Sequence, residues 1–508
     1  MKDTPFLPDG YENTEELLSL LQTLPEQTFI KKGSERALNL FHLMAERVPA
    51  YKDFLANNNF NPMEIQTIDD FQKIPLISKD NYLRQYPREA LCWDGKFKNT
   101  AWTISTTSGS TGEPFYFPRE NGQDLQYALT AELYLRTHFK IHERSTLYIV
   151  AFPMGAWIGG LFTYEALERV RNNGNYPLSI ITPGINKLEV IKAVKNLGKN
   201  FDQIIIGSYA PFLKDILDDG VAQGVQWQDY HLGFVFSAEG FSETFRDYVA
   251  KKTELKNIFI DTLNHYGTVD LGTMSHETPI AILLRRLALS NTKVYEILFS
   301  NVNKLPTLTQ FNPEMFYFED NDGKLLCSSF SGYPLVRYDL KDNGGVFTFE
   351  ETIEKLKNIG VDLLQEAEKV EISKTIWQLP FVYVYERSDF SVSFFAFQIY
   401  PETIRKALQD TELEEKLTGK FTMRVLFDND ANQFLEINIE LKAGIQESEE
   451  LKQEVQELIV AHLLQENSEY RKTHEEYKEK TIPHIIFWQY EDPTYFRPGI
   501  KQKWVKKD

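Results

Sequence analysis

The sequence predicts an α/β protein in two parts: a large N-terminal domain of layered sheets with flanking helices over residues 1–388, and a small α+β domain over 389–508. Three observations lead there. The 508 residues are 42% hydrophobic and 13% aromatic, which is more than one compact core usually holds and too apolar for a disordered chain. Between Thr103 and Gly345 short apolar runs alternate with amphipathic stretches, the pattern of strands and crossover helices on largely parallel sheets. Beyond Arg387 the order becomes strand, helix, two strands, long helix and strand, a split α+β unit.

In chain order, Thr14 to Leu55 repeats apolar residues at helical spacing, as in Ala37, Leu38, Leu40, Phe41, Leu43 and Met44, and forms a helical lead-in. The runs that follow are Thr146 to Phe152, Leu188 to Leu197, Gln203 to Ile206, Pro211 to Leu217, Gly233 to Phe236, Glu243 to Lys251 and Ile258 to Ile260. Asp322-Gly323, between two apolar runs, reads as a hairpin turn. In the second part, Val392 to Phe395 is strand-like, a helix opens at Pro401, and two strands flank Asp428-Asn429-Asp430. A helix then runs from about Gln446 to Gln465, and His484 to Trp488 is a strand. The charged stretch Glu466 to Lys480 reads as a solvated helix face.

The net charge of -18 disfavours tight nucleic-acid binding, which needs clustered Lys and Arg. Cys92 and Cys327, the only two cysteines, stand in no paired spacing, so neither a disulfide framework nor a thiolate zinc site is suggested. The first residues carry no apolar stretch of signal type, and the most apolar segment, Tyr148 to Phe162, is broken by Pro153 and three glycines. A cytoplasmic protein without a membrane span is expected.

The segment richest in chemistry is Thr106-Thr107-Ser108-Gly109-Ser110-Thr111-Gly112-Glu113-Pro114, which follows a strand-like Trp102-Thr103-Ile104. Glycine admits tight backbone turns and short hydroxyl side chains leave room, so such a loop can bring N–H and O–H groups against phosphate oxygens. From composition alone a Ser/Thr/Gly-rich surface loop is an equal alternative. The segment lacks the Gly-Lys-Ser/Thr ending of a Walker A loop and the Gly-x-Ser-x-Gly of a nucleophile elbow, so P-loop NTPase and serine-hydrolase readings lose their signature.

This segment is similar to the phosphate-loop motif of the adenylate-forming superfamily, and the order of motifs resembles the phenylacetate-coenzyme A ligases within it. Pro49-Ala50-Tyr51-Lys52, Asp69-Asp70-Phe71 and Ile74-Pro75-Leu76-Ile77-Ser78-Lys79 resemble that family's N-terminal region. Ser237-Ala238-Glu239 looks like its adenine-contacting turn, and Tyr266-Gly267-Thr268-Val269-Asp270 like its Tyr-Gly-x-x-Glu motif. Pro334-Leu335-Val336-Arg337-Tyr338 is similar to a segment whose following aspartate, here Asp342, holds the ribose. Glu386-Arg387-Ser388-Asp389 resembles the hinge, and Lys501 falls where the lysine of the mobile C-terminal domain is expected.

The resemblance implies use of ATP and Mg2+ to activate a carboxylic acid, aryl or medium-size, as acyl-AMP, followed by transfer to an acceptor. Coenzyme A is the foremost acceptor, with an amine or a carrier-protein thiol as alternatives, and an unusual acid such as nitrite is the alternative to a carboxylic acid. It assigns Ser108, Gly109, Ser110 and Gly112 to the phosphates, Thr107, Thr111 and Lys501 to catalysis, and Asp270 to the metal. Ala238, Glu239, Tyr266, Gly267 and Asp342 fall to the nucleotide, with Tyr266 stacking on adenine or closing the acid pocket. Arg337 contacts phosphate, organises Asp342, or pairs structurally with a carboxylate. Lys503 is the alternative to Lys501, and the small domain would turn about Asp389. Phe152, Trp157, Phe162, Tyr209, Phe212 and Phe236 either line an aryl pocket or, more commonly at such spacings, form plain core. Several residues depart from the family pattern: Glu113 replaces a lysine, Asp270 shortens a glutamate, and Glu386 and Ala396 replace glycines. These departures keep open a degenerate relative that binds nucleotide without turnover. Some relatives bind zinc between the positions of His276 and Cys327; only those two candidate ligands remain here, so no zinc is expected and His276 reads as a surface or core histidine.

Overall fold

The computed structural model describes residues 4–107, 114–238, 240–299, 305–387, 391–395, 397–408, 413, 415–496 and 505, with backbone only at 211, 386, 387 and 402. The chain divides into two compact units. One comprises residues 1–105, 117–208 and 216–386; the other comprises 106–116, 209–215 and 387–508.

The helical lead-in is three helices, Thr14–Thr23, Glu26–Arg47 and Pro49–Asn57. Asn13 starts the first by accepting the N–H groups of Glu15 and Glu16, and Pro49, which has no N–H to leave orphaned, opens the third.

Eleven strands among the described residues form the large sheet of the first unit. They are β1 Thr146–Ala151, β2 Leu178–Ile181, β3 Gln203–Ser208, β4 Leu232–Phe236, β5 Thr262–Thr268, β6 Gly272–His276, β7 Thr307–Gln310, β8 Tyr317–Asn321, β9 Lys324–Ser329, β10 Leu335–Phe347 and β11 Phe381–Arg387. Their order across the sheet is β8-β9-β10-β11-β7-β6-β5-β4-β3-β1-β2. The helices Ile158–Gly174, Lys187–Leu197, Ala210–Ala222 and Glu243–Thr253 connect β1 to β5, and crossovers of that length make this half parallel. Every residue of β1 and β3 is buried, as strands covered on both faces require.

The sequence reading of a largely parallel sheet holds only to β5. The connection 269–271 is too short for a crossover, so β6 turns back antiparallel on β5, and β6–β7, β7–β11, β8–β9 and β9–β10 are antiparallel as well. Asp322 (φ 53°) and Gly323 (φ 78°) close the β8–β9 hairpin with the two positive φ angles of a tight turn. Ile258–Ile260 is not a strand: Asp261 accepts the N–H of Asn257 at 2.9 Å and draws this apolar run into a turn ahead of β5.

Two apolar cores among the described residues pack on this sheet. One joins helices Asn121–Phe139 and Ile158–Gly174 to Tyr148, Val150, Ile205, Val235 and Leu263; the other joins Pro279–Ser290 and Phe349–Asn358 to Leu308, Phe381 and Tyr383. Among the described residues no helix is long and apolar enough to cross a membrane.

The second unit carries a three-stranded sheet, β12 Leu417–Phe427, β13 Gln433–Leu441 and β14 His484–Trp488, antiparallel then parallel. Helices Pro401–Leu408, Glu449–Glu466 and Ser468–Thr481 accompany it, and the last buries Tyr470, Thr473, Tyr477 and Thr481 beneath its charged face. Val505 returns to the sheet as a parallel bridge partner of Met423.

Candidate functional site

Ligands of open parallel sheets settle beyond the carboxyl ends of the strands, because loops and helix starts converge there. In the first unit that edge carries the turn after β4 and the β5–β6 hairpin. The hairpin is shaped by two glycines. A Cβ on Gly267 would lie 2.5 Å from the Gly272 carbonyl oxygen, and Gly272 itself adopts φ +81°, where an added methyl group would meet the Phe162 ring at 3.0 Å. Only glycine lets the two strands close so tightly, and the closure presents Asp270 at the tip.

Asp270 and Asp342 are both buried, at 8% and 6% exposure, yet each has a donor. The Tyr338 hydroxyl, from β10, donates to Asp270 Oδ2 at 2.5 Å. In the opposite sense the Tyr266 hydroxyl, from β5, donates to Asp342 Oδ2 at 2.7 Å. The two elements are thus stitched by crossed tyrosine–carboxylate bonds. A carboxylate offers about four acceptor positions, more than one hydroxyl can fill. The Tyr266 ring also stacks on Phe318, with centroids 6.1 Å apart.

A cation completes the cluster. Ile77 runs beside β10, donating its N–H to Arg337 O at 3.4 Å and accepting from Asp339 N at 2.9 Å. Ser78 and Asn81 then cap each other and turn the chain into the short helix Lys79–Leu83. Lys79 emerges there with its ammonium 3.1 Å from Asp270 Oδ1 and 5.4 Å from the Phe117 ring centroid. Its partnership was not foreseen from sequence; the Ser78-x-x-Asn81 capping pattern after an apolar run was the available signal.

Arg337 is held structurally. Its side chain pairs with Glu319 at 3.0 Å and donates to the carbonyls of Gln72, at 2.5 Å, and Ile74, at 2.8 Å, while its backbone sits at φ +48°. This is the carboxylate pairing that the sequence left open beside a phosphate role.

The turn after β4 places Ala238 in the left-handed region, φ +75°, which costs a non-glycine residue about 1–3 kcal/mol and persists only where the surroundings enforce it. A buried charge network adjoins Phe241, three residues on. Arg246 donates to Glu243 at 3.0 Å, to both oxygens of Glu277 at 2.8 Å, and to Thr262 Oγ1 at 2.6 Å. Arg285 meets Glu277 and Glu243 at 2.9 Å each and donates to the Phe241 carbonyl at 2.8 Å. Burial pushes the Glu243 carboxyl up, but the guanidiniums of Arg246 and Arg285 outweigh it and hold its pKa below the ordinary value. Sequence reasoning passed over these residues because Glu243 and Arg246, three apart on a helix, look like an ordinary surface pair.

In the second unit, Thr107 closes the base of the hydroxyl-rich loop, donating its N–H to Phe115 O and accepting the Phe115 N–H on Oγ1, both at 3.0 Å. Ser108, Gly109, Ser110, Thr111, Gly112, Glu113, Glu239, Asp389, Ala396, Lys501 and Lys503 lie outside the described residues.

Of the aromatic candidates, Phe162 stands beside the hairpin, stacked on Tyr127 at 4.3 Å with the Arg119 guanidinium 4.6 Å from its centroid. Phe152 belongs to the same core, Phe236 packs on Phe241, and Tyr209 and Phe212 lie in the second unit. His276 is a core histidine, its ring 5.5 Å from Tyr134 and 5.4 Å from Trp377. Among the described residues no three His, Cys, Asp or Glu side chains converge to hold a metal by themselves. A phosphate-bridged Mg2+ takes only one or two carboxylates from protein, and for that role the single carboxylate of Asp270 fits.

No family model matches the sequence, and no curated protein matches it. Solved structures share its fold. Similarity to 2-hydroxyisobutyryl-CoA ligase, in complex with 2-HIB-AMP and CoA in the thioesterification state, extends over 96% of this chain and 92% of that one, with a TM-score of 0.64 and 12% identity. An open conformation of the same ligase with the same ligands gives a TM-score of 0.54 at 12% identity, over 96% of this chain and 93% of that one. At such identity the likeness is one of fold, the α/β architecture anticipated from sequence.

Proposed function

We propose that this chain is an ATP- and Mg2+-dependent ligase that activates a carboxylic acid, aryl or medium-size, as acyl-AMP and transfers the acyl group to a thiol acceptor, coenzyme A foremost. The observation that carries this reading is the crossed pair of tyrosine–carboxylate bonds with Lys79 at the carboxyl edge of the sheet. It brings two carboxylates, two phenol hydroxyls and an ammonium together, which supports Asp342 as the ribose acceptor and Asp270 as the metal ligand. In the first step a carboxylate oxygen of the acid attacks the α-phosphorus, and the bond from that phosphorus to the bridging oxygen breaks to release pyrophosphate. In the second, the acceptor thiolate attacks the acyl carbon and AMP leaves.

Asp342 accepts both ribose hydroxyls while Tyr266 fixes its orientation. Asp270 would hold magnesium, which would supply charge neutralisation of the phosphates. The loop 107–112 offers N–H and hydroxyl donors to phosphate, and Thr107 is anchored on Phe115. Catalysis by such a set is positioning and electrostatics.

The direct test is exchange of labelled pyrophosphate into ATP across a panel of carboxylic acids. Exchange that depends on one acid and stops on magnesium chelation is expected, with AMP as the nucleotide product; ADP in place of AMP would refute adenylation.

A second expectation concerns the ribose. Asp342→Ala should raise the KM for ATP by roughly tenfold to a hundredfold, the loss of a charge-assisted hydrogen bond of about 1.5–3 kcal/mol, with little change in the KM for the acid. Tyr266→Phe, which removes only the orienting hydroxyl, should give a smaller rise in the same parameter. Unchanged ATP dependence in folded Asp342→Ala protein would move the ribose site elsewhere.

A further inference from the structure

We infer that Arg285, with Arg246, Glu243 and Glu277, is a positioning device for the nucleobase: the buried charge network fixes Phe241 and the start of β5 on either side of Ala238, the strained residue that meets adenine. The inference rests on the nucleotide reading above and adds residues that no motif points to.

Four charged side chains, each at most 2% exposed, sit where apolar groups of similar volume would serve stability as well or better. Directional bonds are what apolar packing cannot supply. Two of those bonds lead to the turn or its foundation. Arg285 donates to the Phe241 carbonyl at 2.8 Å, and Arg246 donates to Thr262 Oγ1, at the start of β5, at 2.6 Å. The Phe241 ring lies under both guanidiniums, 4.8 Å from Arg246 and 5.9 Å from Arg285. Glu277, bonded to both arginines, follows directly on β6, and its N–H is tied to Asn264 O of β5 at 2.7 Å. The network therefore holds Phe241 at one end and, at the other, the two strands of the hairpin that carries Tyr266 and has Asp270 at its tip. Ala238 has φ +75°, a conformation that relaxes unless its neighbours over-determine it, and three residues on the Phe241 carbonyl is held by Arg285.

The device should govern recognition of the base and leave recognition of the phosphates alone. Binding of ATP, GTP and inorganic tripolyphosphate to the full chain would be measured by titration calorimetry for wild type and for Arg285→Lys, which keeps the charge but cannot span two carboxylates and a carbonyl at once. The expected result is about a tenfold weaker Kd for ATP and loss of ATP-over-GTP preference by the same factor, with tripolyphosphate unchanged. Phe241→Leu, which removes the ring beneath the guanidiniums, should act in the same direction and serves if Arg285→Lys does not fold. Val249→Ala, a buried truncation in the helix that carries Glu243 and Arg246, should lower the melting temperature without altering base preference. An unchanged ATP-to-GTP ratio in Arg285→Lys or Phe241→Leu, or the same loss in Val249→Ala, would overturn the inference and leave the network as scaffold. Wild-type protein that binds neither nucleotide would instead overturn the nucleotide reading on which it rests.

Discussion

Alanine at position 501 is expected to slow acid-dependent pyrophosphate exchange at least about a hundredfold while leaving consumption of a supplied acyl-adenylate close to the wild-type rate. The effect is electrostatic. As pyrophosphate leaves, negative charge accumulates on phosphate oxygens, and a compact ammonium brought to them stabilises the transition state more than the ground state. Once acyl-AMP exists, that charge has gone and the lysine has no further work. The segment that carries Lys501 is bracketed by two buried anchors in the second unit, Phe496 and Val505, the latter paired with Met423 of β12. Lys503 lies in the same segment and is the alternative. Asp389→Pro, which fixes a backbone torsion at the proposed hinge, should spare each half-reaction more than the complete cycle. Exchange rates untouched in both Lys501→Ala and Lys503→Ala would remove the C-terminal lysine from the mechanism.

A second large effect is expected on stability in mild acid. Three histidines, His138, His265 and His276, are buried in the first unit: Tyr134 lies 4.9 Å from His265 and 5.5 Å from His276, and His138 Nδ1 contacts Ile260 O at 3.0 Å. Burial lowers the pKa of His138 to about 4 and of His265 to about 3, and holds His276 well below the ordinary value; the rings add to one another's shift at His265 and His276. The sign follows from linkage. A depressed folded pKa means that the unfolded chain binds protons first, so stability is intact above pH 6.5 and falls as pH drops toward the folded values. By pH 5 the loss is about 2 kcal/mol for each such histidine. Urea midpoints at pH 8, 6.5 and 5 would show it. Buried carboxyls such as Asp124, pushed up to about 6 by burial against the pull of Arg119, act in the opposite direction. The decisive comparison is therefore with His265→Phe, which should flatten the acid limb; an identical pH slope in that variant would show that these rings do not set it.

Much of the architecture could be read from residues alone, and what escaped did so for physical reasons. The alternation from Thr146 to Phe236 reports burial on both sheet faces, and the crossover helices between those runs leave little choice but parallel strands. Past β5 the same apolar runs return antiparallel, because direction is set by connection length and not by the strand's own composition. Ile258–Ile260 has the β-branched residues of a strand, yet the flanking Asn257 and Asp261 close a turn around it. At the site, Asp270 and Asp342 could be picked out by motif, whereas the tyrosines that bind them come from the opposite element, far along the chain, and no local pattern links Tyr266 to Asp342 or Tyr338 to Asp270. Lys79 is illegible for the same reason: its partner is chosen by the docking of Ile77 on β10.

The crossed tyrosine–carboxylate bonds also bear on how this site can change over generations. Since each hydroxyl serves a carboxylate on the other's element, losing one tyrosine loosens the acid opposite and the backbone that both share. Substitutions at 266, 270, 338 and 342 should therefore combine non-additively, so that a change harmful alone is accepted only after its partner has shifted. Lengthening Asp270 to the glutamate of the motif it resembles is a case in point. The extra methylene would carry the carboxylate toward a hydroxyl at 2.5 Å and an ammonium at 3.1 Å, so the longer acid is closed to this lineage until Tyr338 or Lys79 gives way.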